Sequence, residues 1–322
     1  MKKMQKSKTK NAPHAPRNKF RNNLFVALNV VLALAVIWFF LTQFDYAAIG
    51  SVLSKANPLW IVPAALCYWA MNWISAIRLK RFLKAKARTL EIFFIHMQAL
   101  LLSDATPGRA GYAYLVVGLR KHGAAPANAR VLGVLLASDF FMRALLIIAS
   151  IALFARSFLW AGVFLAVASA IALLLFWKRV RLVEKALAKI PRFGTRLAAF
   201  YETVFVKHLE LSELCLSLAA SFVGSVLRGA AWLFLFYALG YGGVAVPGAT
   251  LAAFVVLCAL LTSLSFVPLS IAGIGLQEAT GAVLFASLLG IAPAAAAALM
   301  VLVRGLEFGS DLLFGSREFL KT

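Results

Sequence analysis

The chain has 322 residues, of which 62% are hydrophobic and 14% charged, and its net charge is +21. This composition, with several apolar runs of about twenty residues, is typical of polytopic α-helical membrane proteins and excludes an ordinary soluble domain. Of the 33 Lys and Arg residues, 27 lie in residues 1–22, 78–90, 118–130, 178–212 and 315–322. These segments can all face one side of a membrane. The charge therefore follows the positive-inside pattern, and we expect no nucleic-acid partner.

The N-terminal part of the chain predicts a basic tail and two spans. Residues 1–22 are Lys-rich and contain two prolines, so we expect a disordered cytoplasmic tail. Residues 24–44 form the first apolar run and are predicted to cross outward. Residues 45–57 are interpreted as a short outer loop, and residues 58–77 as the returning span.

The next apolar stretch is interrupted by the sequence Asp104-Ala-Thr-Pro-Gly-Arg109. Its two arms, residues 92–103 and 110–119, have 12 and 10 residues. At 1.5 Å per residue each arm reaches only about 15–18 Å, whereas the hydrocarbon core is about 30 Å thick. Since cationic residues stand at both ends, we predict a re-entrant hairpin that enters from the cytoplasm.

Residues 130–154 and 157–177 are predicted as an outward and a returning span. Residues 178–212 carry apolar residues at helical spacing among basic ones, which predicts an amphipathic helix on the cytoplasmic surface. Residues 213–239 are predicted to run outward again, and residues 294–314 are predicted as the last span.

A second interruption divides residues 249–290. Pro268 cannot donate a backbone hydrogen bond, and Gly273 and Gly275 favour chain reversal. Because residues 279–289 are too few to cross, we predict a second hairpin, entering from the outside. A kinked helix or a tight helix crossing at the glycines is the alternative.

The order of these elements predicts an all-α membrane protein with about six spans and two re-entrant hairpins in an inverted-topology repeat. The repeats would cover residues 23–156 and 157–322, within one membrane domain. The interval from Pro107 to Arg143 is 36 residues, and so is the interval from Pro268 to Arg304. Secondary transporters of this arrangement bind substrate where their broken helices meet.

Charged residues within apolar sequence are costly, so each should face the protein interior and find a partner. Asp139 and Arg143 are four apart, and Arg304 and Glu307 three apart, so each pair shares a helix face. Two interpretations remain open. The pairs neutralise themselves and lock helices together, or Arg143 and Arg304 line a polar cavity.

The two interruptions supply the other candidate site residues. Arg109 follows Pro107 and Gly108, where free backbone N–H groups favour an anion, and its guanidinium would add a phosphate contact. A structural clasp between Arg109 and Asp104 is the alternative. Glu278 either stabilises its own half-helix N-terminus or receives a cationic headgroup or a proton. Gln277 can assist in either role.

No catalytic motif, metal-binding spacing or nucleotide-binding loop stands in the sequence, so we expect neither an enzyme nor a cofactor. The three cysteines, Cys67, Cys215 and Cys258, are expected to pack in helices. His96 lies within a helical arm and is interpreted as a core histidine.

Several of these residues resemble one known family. The sequences Thr106-Pro-Gly-Arg-Ala-Gly111 and Phe266-Val-Pro-Leu-Ser-Ile-Ala-Gly-Ile-Gly-Leu-Gln-Glu278, the helix with Asp139 and Arg143, and Arg304 are similar to the lysylphosphatidylglycerol synthase transmembrane-region family. The resemblance covers residues 24 to 315. It implies a membrane domain with two re-entrant helices that flips or handles a polar lipid. We expect the aminoacyl-transferase domain of the synthase to be absent, and its reaction is not implied.

The predicted function is a lipid translocase of the bacterial cytoplasmic membrane, with both termini in the cytoplasm. Its partner would be a membrane lipid with an anionic or zwitterionic headgroup. Arg109, Arg143 and Arg304 would hold the phosphate, and Glu278 would carry a proton. The alternatives are a transporter of a small anion, an intramembrane enzyme on a lipid phosphate, and a partner of a lipid-modifying enzyme. A second copy of the chain is a further candidate partner.

Overall fold

The computed structural model describes residues 45–83, 87–106, 109–121, 125–149, 211–243, 250–266 and 276–319, with six helical residues between 163 and 171. Throughout these ranges the regular secondary structure is helical. The predicted tail 1–22, the first span 24–44 and nearly all of the amphipathic connection 178–212 lie outside the described residues, as does most of the span 157–177.

Nine α-helices are labelled here within the described ranges. They are α1 (Tyr46–Ser54), α2 (Ile61–Leu83), α3 (Thr89–Asp104), α4 (Tyr114–Gly118), α5 (Ala125–Ala149), α6 (Leu211–Ala238), α7 (Leu251–Leu264), α8 (Leu276–Leu289) and α9 (Pro293–Phe319). Short 3₁₀ turns precede α2 at Pro58–Trp60 and α4 at Ala110–Ala113. Further 3₁₀ turns follow α4 at Leu119–Lys121 and α6 at Tyr241–Gly243.

Three stretches of the described chain are helical, long enough and apolar enough to cross a membrane: Pro58–Leu83, Val131–Ala149 and Ser212–Ala238. They correspond to three of the predicted spans. The helices Leu251–Leu264 and Leu276–Leu289 are apolar but shorter. Helix α9 has 27 residues and carries three charged residues near its middle, Arg304, Glu307 and Asp311. The chain is therefore a helical membrane protein.

Two segments differ from the sequence prediction. The predicted outer loop contains helix α1, because the Asp45 side chain accepts a hydrogen bond from Ala48 N and caps its first turn. Helix α2 does not end at residue 77 but continues to Leu83, since Leu79 and Phe82 are buried and hold the last turns against the core. Arg78 is therefore part of a packed helix.

The first interruption folds the chain back on itself. A Cβ atom placed on Gly111 would collide with the backbone of Leu102, and one on Gly118 would lie 2.8 Å from the Ile95 side chain. The second arm therefore runs antiparallel to α3, with glycine at both close approaches. Thr106 Oγ1 accepts a hydrogen bond of 2.6 Å from Gly111 N and closes the turn.

The second interruption separates α7 from α8. Helix α7 ends at Leu264 and α8 begins at Leu276, and the two helices pack against each other. Residues 267–275, which include Pro268, Gly273 and Gly275, lie outside the described residues. The structure thus places a helix on each side of the predicted break.

The apolar core divides into two clusters. One is built by α2, α3, α4 and α5 around residues such as Leu79, Met97 and Leu135. The other is built mainly by α6, α7, α8 and α9, with Phe236 and Phe285 among its largest fully buried members. Buried charged side chains contributed by both groups of helices form the contacts described below.

Candidate functional site

A cavity of about 80 Å³ lies among α2, α3, α5, α6 and α7. Its charged lining consists of four arginines and one carboxylate: Arg78, Arg109, Arg143, Arg228 and Asp139. Polar uncharged groups, including Asn72, His96 and Ser221, complete the wall together with apolar side chains. An enclosure with this excess of guanidinium groups favours an anion.

One arginine of the cavity is paired with a carboxylate. Arg78 is 4% exposed, and its two terminal nitrogens donate to Asp139 Oδ1 at 2.9 Å and Oδ2 at 3.2 Å. Arg78 also donates to Ser221 Oγ at 2.7 Å, and Ser221 donates to Asp139 Oδ1 at 2.6 Å. This bidentate pair joins α2 to α5, with α6 contributing the serine. Asp139 is thus paired with Arg78 on another helix and not with Arg143.

Two arginines of the cavity have no carboxylate in contact among the described residues. Arg143 Nη1 and Arg109 Nε are buried atoms without a hydrogen-bond partner. Both guanidinium groups lie over the Phe266 ring, at 5.7 and 5.6 Å from its centroid. Phe266 belongs to the last turn after α7, so cation–π contacts bring these two arginines to the second interruption.

Arg109 also has an unusual backbone. Its φ is 55° and its ψ is 32°, which is the left-handed region, and it is the one non-glycine residue with positive φ in the described chain. This conformation costs about 1–2 kcal/mol for a residue with a side chain. The turn that reverses the hairpin thereby aims an arginine, 8% exposed, at the cavity.

Arg228 lies on α6 and completes the group. Its Nε donates to the Met71 sulfur at 3.3 Å, which is a weak acceptor, and its Nη1 has no partner in the described structure. The Glu307 carboxylate also interacts electrostatically with it. Arg228 therefore lies between the cavity and a set of acidic residues on the other side.

A buried histidine in the wall has its hydrogen-bonding roles fixed by its neighbours. Asn72 Nδ2 donates to the Tyr68 carbonyl, so Asn72 Oδ1 is the acceptor that faces His96 Nε2 at 3.2 Å. His96 Nε2 must then carry the proton, and Nδ1 accepts from the Tyr112 hydroxyl at 3.4 Å. His96 thus links α2 to both arms of the first hairpin. It packs in the core as predicted, and it also lines the cavity.

The second charged group surrounds Arg304. Its Nη1 lies 3.4 Å from Asp104 Oδ1, and its Nε lies 3.8 Å from Glu278 Oε1. Asp104 ends the first arm of one hairpin, and Glu278 lies in the first turn of α8 beyond the other break. One arginine thus joins the two interrupted elements. The acids around it, called the acidic cluster below, are Asp104, Glu278, Glu307 and Asp311.

The predicted site residues divide between these two groups. Arg109, Arg143 and Asp139 meet in the cavity, whereas Arg304 and Glu278 meet in the acidic cluster. Asp104 contacts Arg304, so the alternative of a clasp with Arg109 is not the pairing found in the described residues. Gln277, beside Glu278, is 2% exposed with Oε1 unpartnered in the described structure. Four further predicted residues lie outside the described residues: Pro107, Gly108, Gly273 and Gly275.

Sequence reasoning did not select Arg78, Arg228 or His96 as site residues. Arg78 was counted with the cytoplasmic cations because it follows the hydrophobic run. The usable signal was the continued helical spacing of Leu79 and Phe82 beyond it. In the described ranges, no group of three or more His, Cys, Asp or Glu side chains is arranged to hold a metal ion.

Comparison with known sequences agrees with this architecture. The sequence pattern of the family described as the lysylphosphatidylglycerol synthase TM region matches residues 26–315, nearly the whole chain. No curated protein matches the chain. The matched region includes every charged residue of the cavity and of the acidic cluster, so these features lie within the family's own domain. The chain therefore belongs to the lysylphosphatidylglycerol synthase TM region family.

Proposed function

We propose that the protein translocates a phosphate-bearing lipid across the membrane and that the arginine-lined cavity holds the lipid phosphate. The observation that carries the proposal is the charge of the cavity wall. Asp139 neutralises Arg78, and three guanidinium groups have no carboxylate of the described residues in contact, on Arg109, Arg143 and Arg228. Buried cations without a partner are costly unless an anion joins them.

The size of the cavity fits a phosphate group and not a whole lipid. A volume of about 80 Å³ is room for two or three water molecules, at about 30 Å³ each. The acyl chains of a bound lipid would therefore stay in the bilayer while the phosphate enters. Family membership supports a lipid substrate, because the family is named for the membrane region of a lipid synthase.

The proposed mechanism uses both interrupted elements. Each would be a re-entrant hairpin, and the two would form an inverted-topology repeat with the N- and C-termini in the cytoplasm. Arg143 stacks on Phe266 of the second interruption, and Arg304 contacts Asp104 of the first. Each arginine thus reaches across to the opposite interruption. Movement of one half against the other would break these contacts and expose the cavity to alternate sides.

A second candidate is transport of a small free anion such as inorganic phosphate. The cavity volume favours it, because the described lining encloses no more than one such group. The two candidates share the anion site and differ in whether acyl chains accompany the phosphate. The protein would bind the same lipid if it acted instead as the partner of a lipid-modifying enzyme.

The test uses the full chain in liposomes with fluorescent phosphatidylglycerol and a membrane-impermeant quencher. We expect the protein to expose inner-leaflet lipid to the quencher, and Arg109→Ala and Arg143→Met to slow this exposure at least tenfold. Arg81→Met is the matched control, because Arg81 is an exposed arginine on α2 outside the cavity.

Two results would contradict the proposal. Equal rates for the control and both cavity variants would show that the arginines do not hold the phosphate. Uptake of radiolabelled inorganic phosphate without lipid exposure would favour the second candidate.

A further inference from the structure

The acidic cluster lies apart from the cavity and has the opposite charge. None of its four carboxylates is among the residues that line the cavity: Asp104, Glu278, Glu307 and Asp311. Each of the four residues is at most 7% exposed. Arg304 is the one cation within ion-pair distance of the cluster in the described structure, and it reaches two of the acids.

The contacts of Arg304 with these two acids are long. At 3.4 and 3.8 Å they exceed the usual N–H···O range of about 2.7–3.2 Å. The other oxygen of Asp104, Oδ2, is buried with no hydrogen-bond partner in the described chain, and so is Glu307 Oε1. Buried ionised carboxylates are stable only when paired and hydrogen-bonded. Two acceptors in this cluster lack a donor.

The third acid has one donor from across the fold. The Tyr68 hydroxyl donates to Asp311 Oδ1 at 2.9 Å. Glu307 and Asp311 are three and seven residues after Arg304 on α9, so all three share one helix face. Asp104 and Glu307 interact electrostatically with Asp311, and Glu307 with Asp104.

The charged and titratable groups that face the cluster come from every element packed around it. Helix α2 contributes Tyr68, the first hairpin Asp104 and Arg109, α6 Arg228, α7 Cys258, α8 Glu278, and α9 Arg304, Glu307 and Asp311. Of the three arginines, Arg109 and Arg228 also line the cavity. An anion bound there would draw on the same two cations that help to balance the acidic cluster.

We propose that the acidic cluster binds one exchangeable proton, shared among Asp104, Glu307 and Asp311, and that this proton is exchanged as lipid moves. A proton from water added to one carboxylate removes one negative charge. It also turns one of the two unpartnered oxygens into a hydroxyl group that can donate a hydrogen bond. In the described ranges no group of acidic side chains is arranged to hold a metal ion, so a proton is the cation that we propose. The proton site is inferred from the burial and the contacts of the carboxylates, whereas exchange of the proton during transport rests on the proposed function.

The direct test is infrared difference spectroscopy of the full chain in nanodiscs between alkaline and acidic pH. We expect a carbonyl stretching band of a buried protonated carboxyl group, which Glu307→Gln and Asp104→Asn each remove or shift. Glu91→Gln, in the first turn of α3, should leave it unchanged. If neither cluster variant alters the band, or if sodium ions replace the proton and abolish it, the proposal is wrong.

The transport test imposes a pH gradient across liposomes that contain fluorescent phosphatidylglycerol. The gradient should change the lipid rate several-fold in the wild-type protein and have no effect in Glu307→Gln. An equal gradient response in that variant, or no response in the wild type, would overturn the exchange. A wild-type protein that shows the band but moves no lipid would refute the proposed function and leave the proton site standing.

Discussion

Arg143 and Arg78 line the same cavity, but their surroundings predict opposite results when each is replaced by methionine. Arg78 is held by two nitrogen–oxygen contacts to Asp139, whereas Arg143 Nη1 has no partner among the described residues. Methionine keeps much of the side-chain length and removes the charge. The pair of variants therefore separates an arginine that stabilises the fold from one that is available to a ligand.

The magnitudes follow from what each change leaves behind. Arg78→Met leaves the Asp139 carboxylate without its cation, which costs about 3–5 kcal/mol for a buried pair. Because the Asp139 side chain is 26% exposed, we expect the lower end of that range. Arg143→Met removes an unpartnered donor, so the free energy of unfolding should stay the same or rise. It also removes a charged hydrogen bond to phosphate, worth about 1.5–3 kcal/mol, or a roughly 10- to 150-fold weaker affinity.

Two measurements check this contrast. Thermal unfolding in detergent should show a lower transition temperature for Arg78→Met and no loss for Arg143→Met. Native mass spectrometry with phosphatidylglycerol should show weaker lipid retention for Arg143→Met. Equal destabilisation by both changes, or full lipid retention by Arg143→Met, would refute the assignment of Arg143 as the free cation of the cavity.

Three further changes test the first hairpin. Arg109→Gly should have a free energy of unfolding about 1 kcal/mol higher than Arg109→Ala, because glycine adopts the left-handed backbone without strain. Equal melting curves for the two variants would contradict the left-handed conformation at residue 109. Gly111→Ala should destabilise the protein by about 1–3 kcal/mol, since the new methyl group meets the Leu102 backbone, and hydrogen exchange at the turn should rise. Tyr112→Phe should cost roughly 1 kcal/mol in thermal unfolding by leaving His96 Nδ1 without a donor, and an unchanged transition would rule out that bond.

The positions of the helices could be predicted from the sequence because they follow from local chemistry. The first arm was predicted to end at residue 103 and ends at Asp104, since proline and glycine beyond it cannot continue a helix. Hydropathy located three of the predicted spans for the same reason. The end of α2 was misplaced because it depends on packing against distant helices, and a boundary drawn at the first arginine cannot show this.

The partners of the buried charges were harder to predict. Spacing along one helix shows that Asp139 and Arg143 share a face, and the same spacing made their pairing the simplest hypothesis. Arg78 takes Asp139 instead because it approaches from another helix with both nitrogens aligned to both carboxylate oxygens. Residue spacing along one helix does not show which side chain of another helix will reach Asp139. The prediction that the two interruptions meet rested on topology, and in the described residues Arg304 contacts Asp104 before one interruption and Glu278 after the other.

Inside the protein most of the buried arginines lie in the cavity and most of the buried acids lie in the acidic cluster. This separation of charge is what makes a binding site possible. The described interior holds five arginines and five acids in the two groups: Arg78, Arg109, Arg143, Arg228, Arg304, Asp104, Asp139, Glu278, Glu307 and Asp311. If each of the five arginines were paired with one of the five acids, the interior would be locally neutral and would attract no ligand. Instead, four arginines and one acid line the cavity, while four acids and one arginine form the cluster. The total charge cancels, which makes burial tolerable, yet each region keeps an excess of one sign. An anion in the cavity and a proton in the cluster would relieve both excesses together, and this is the physical reason to expect the two to be coupled.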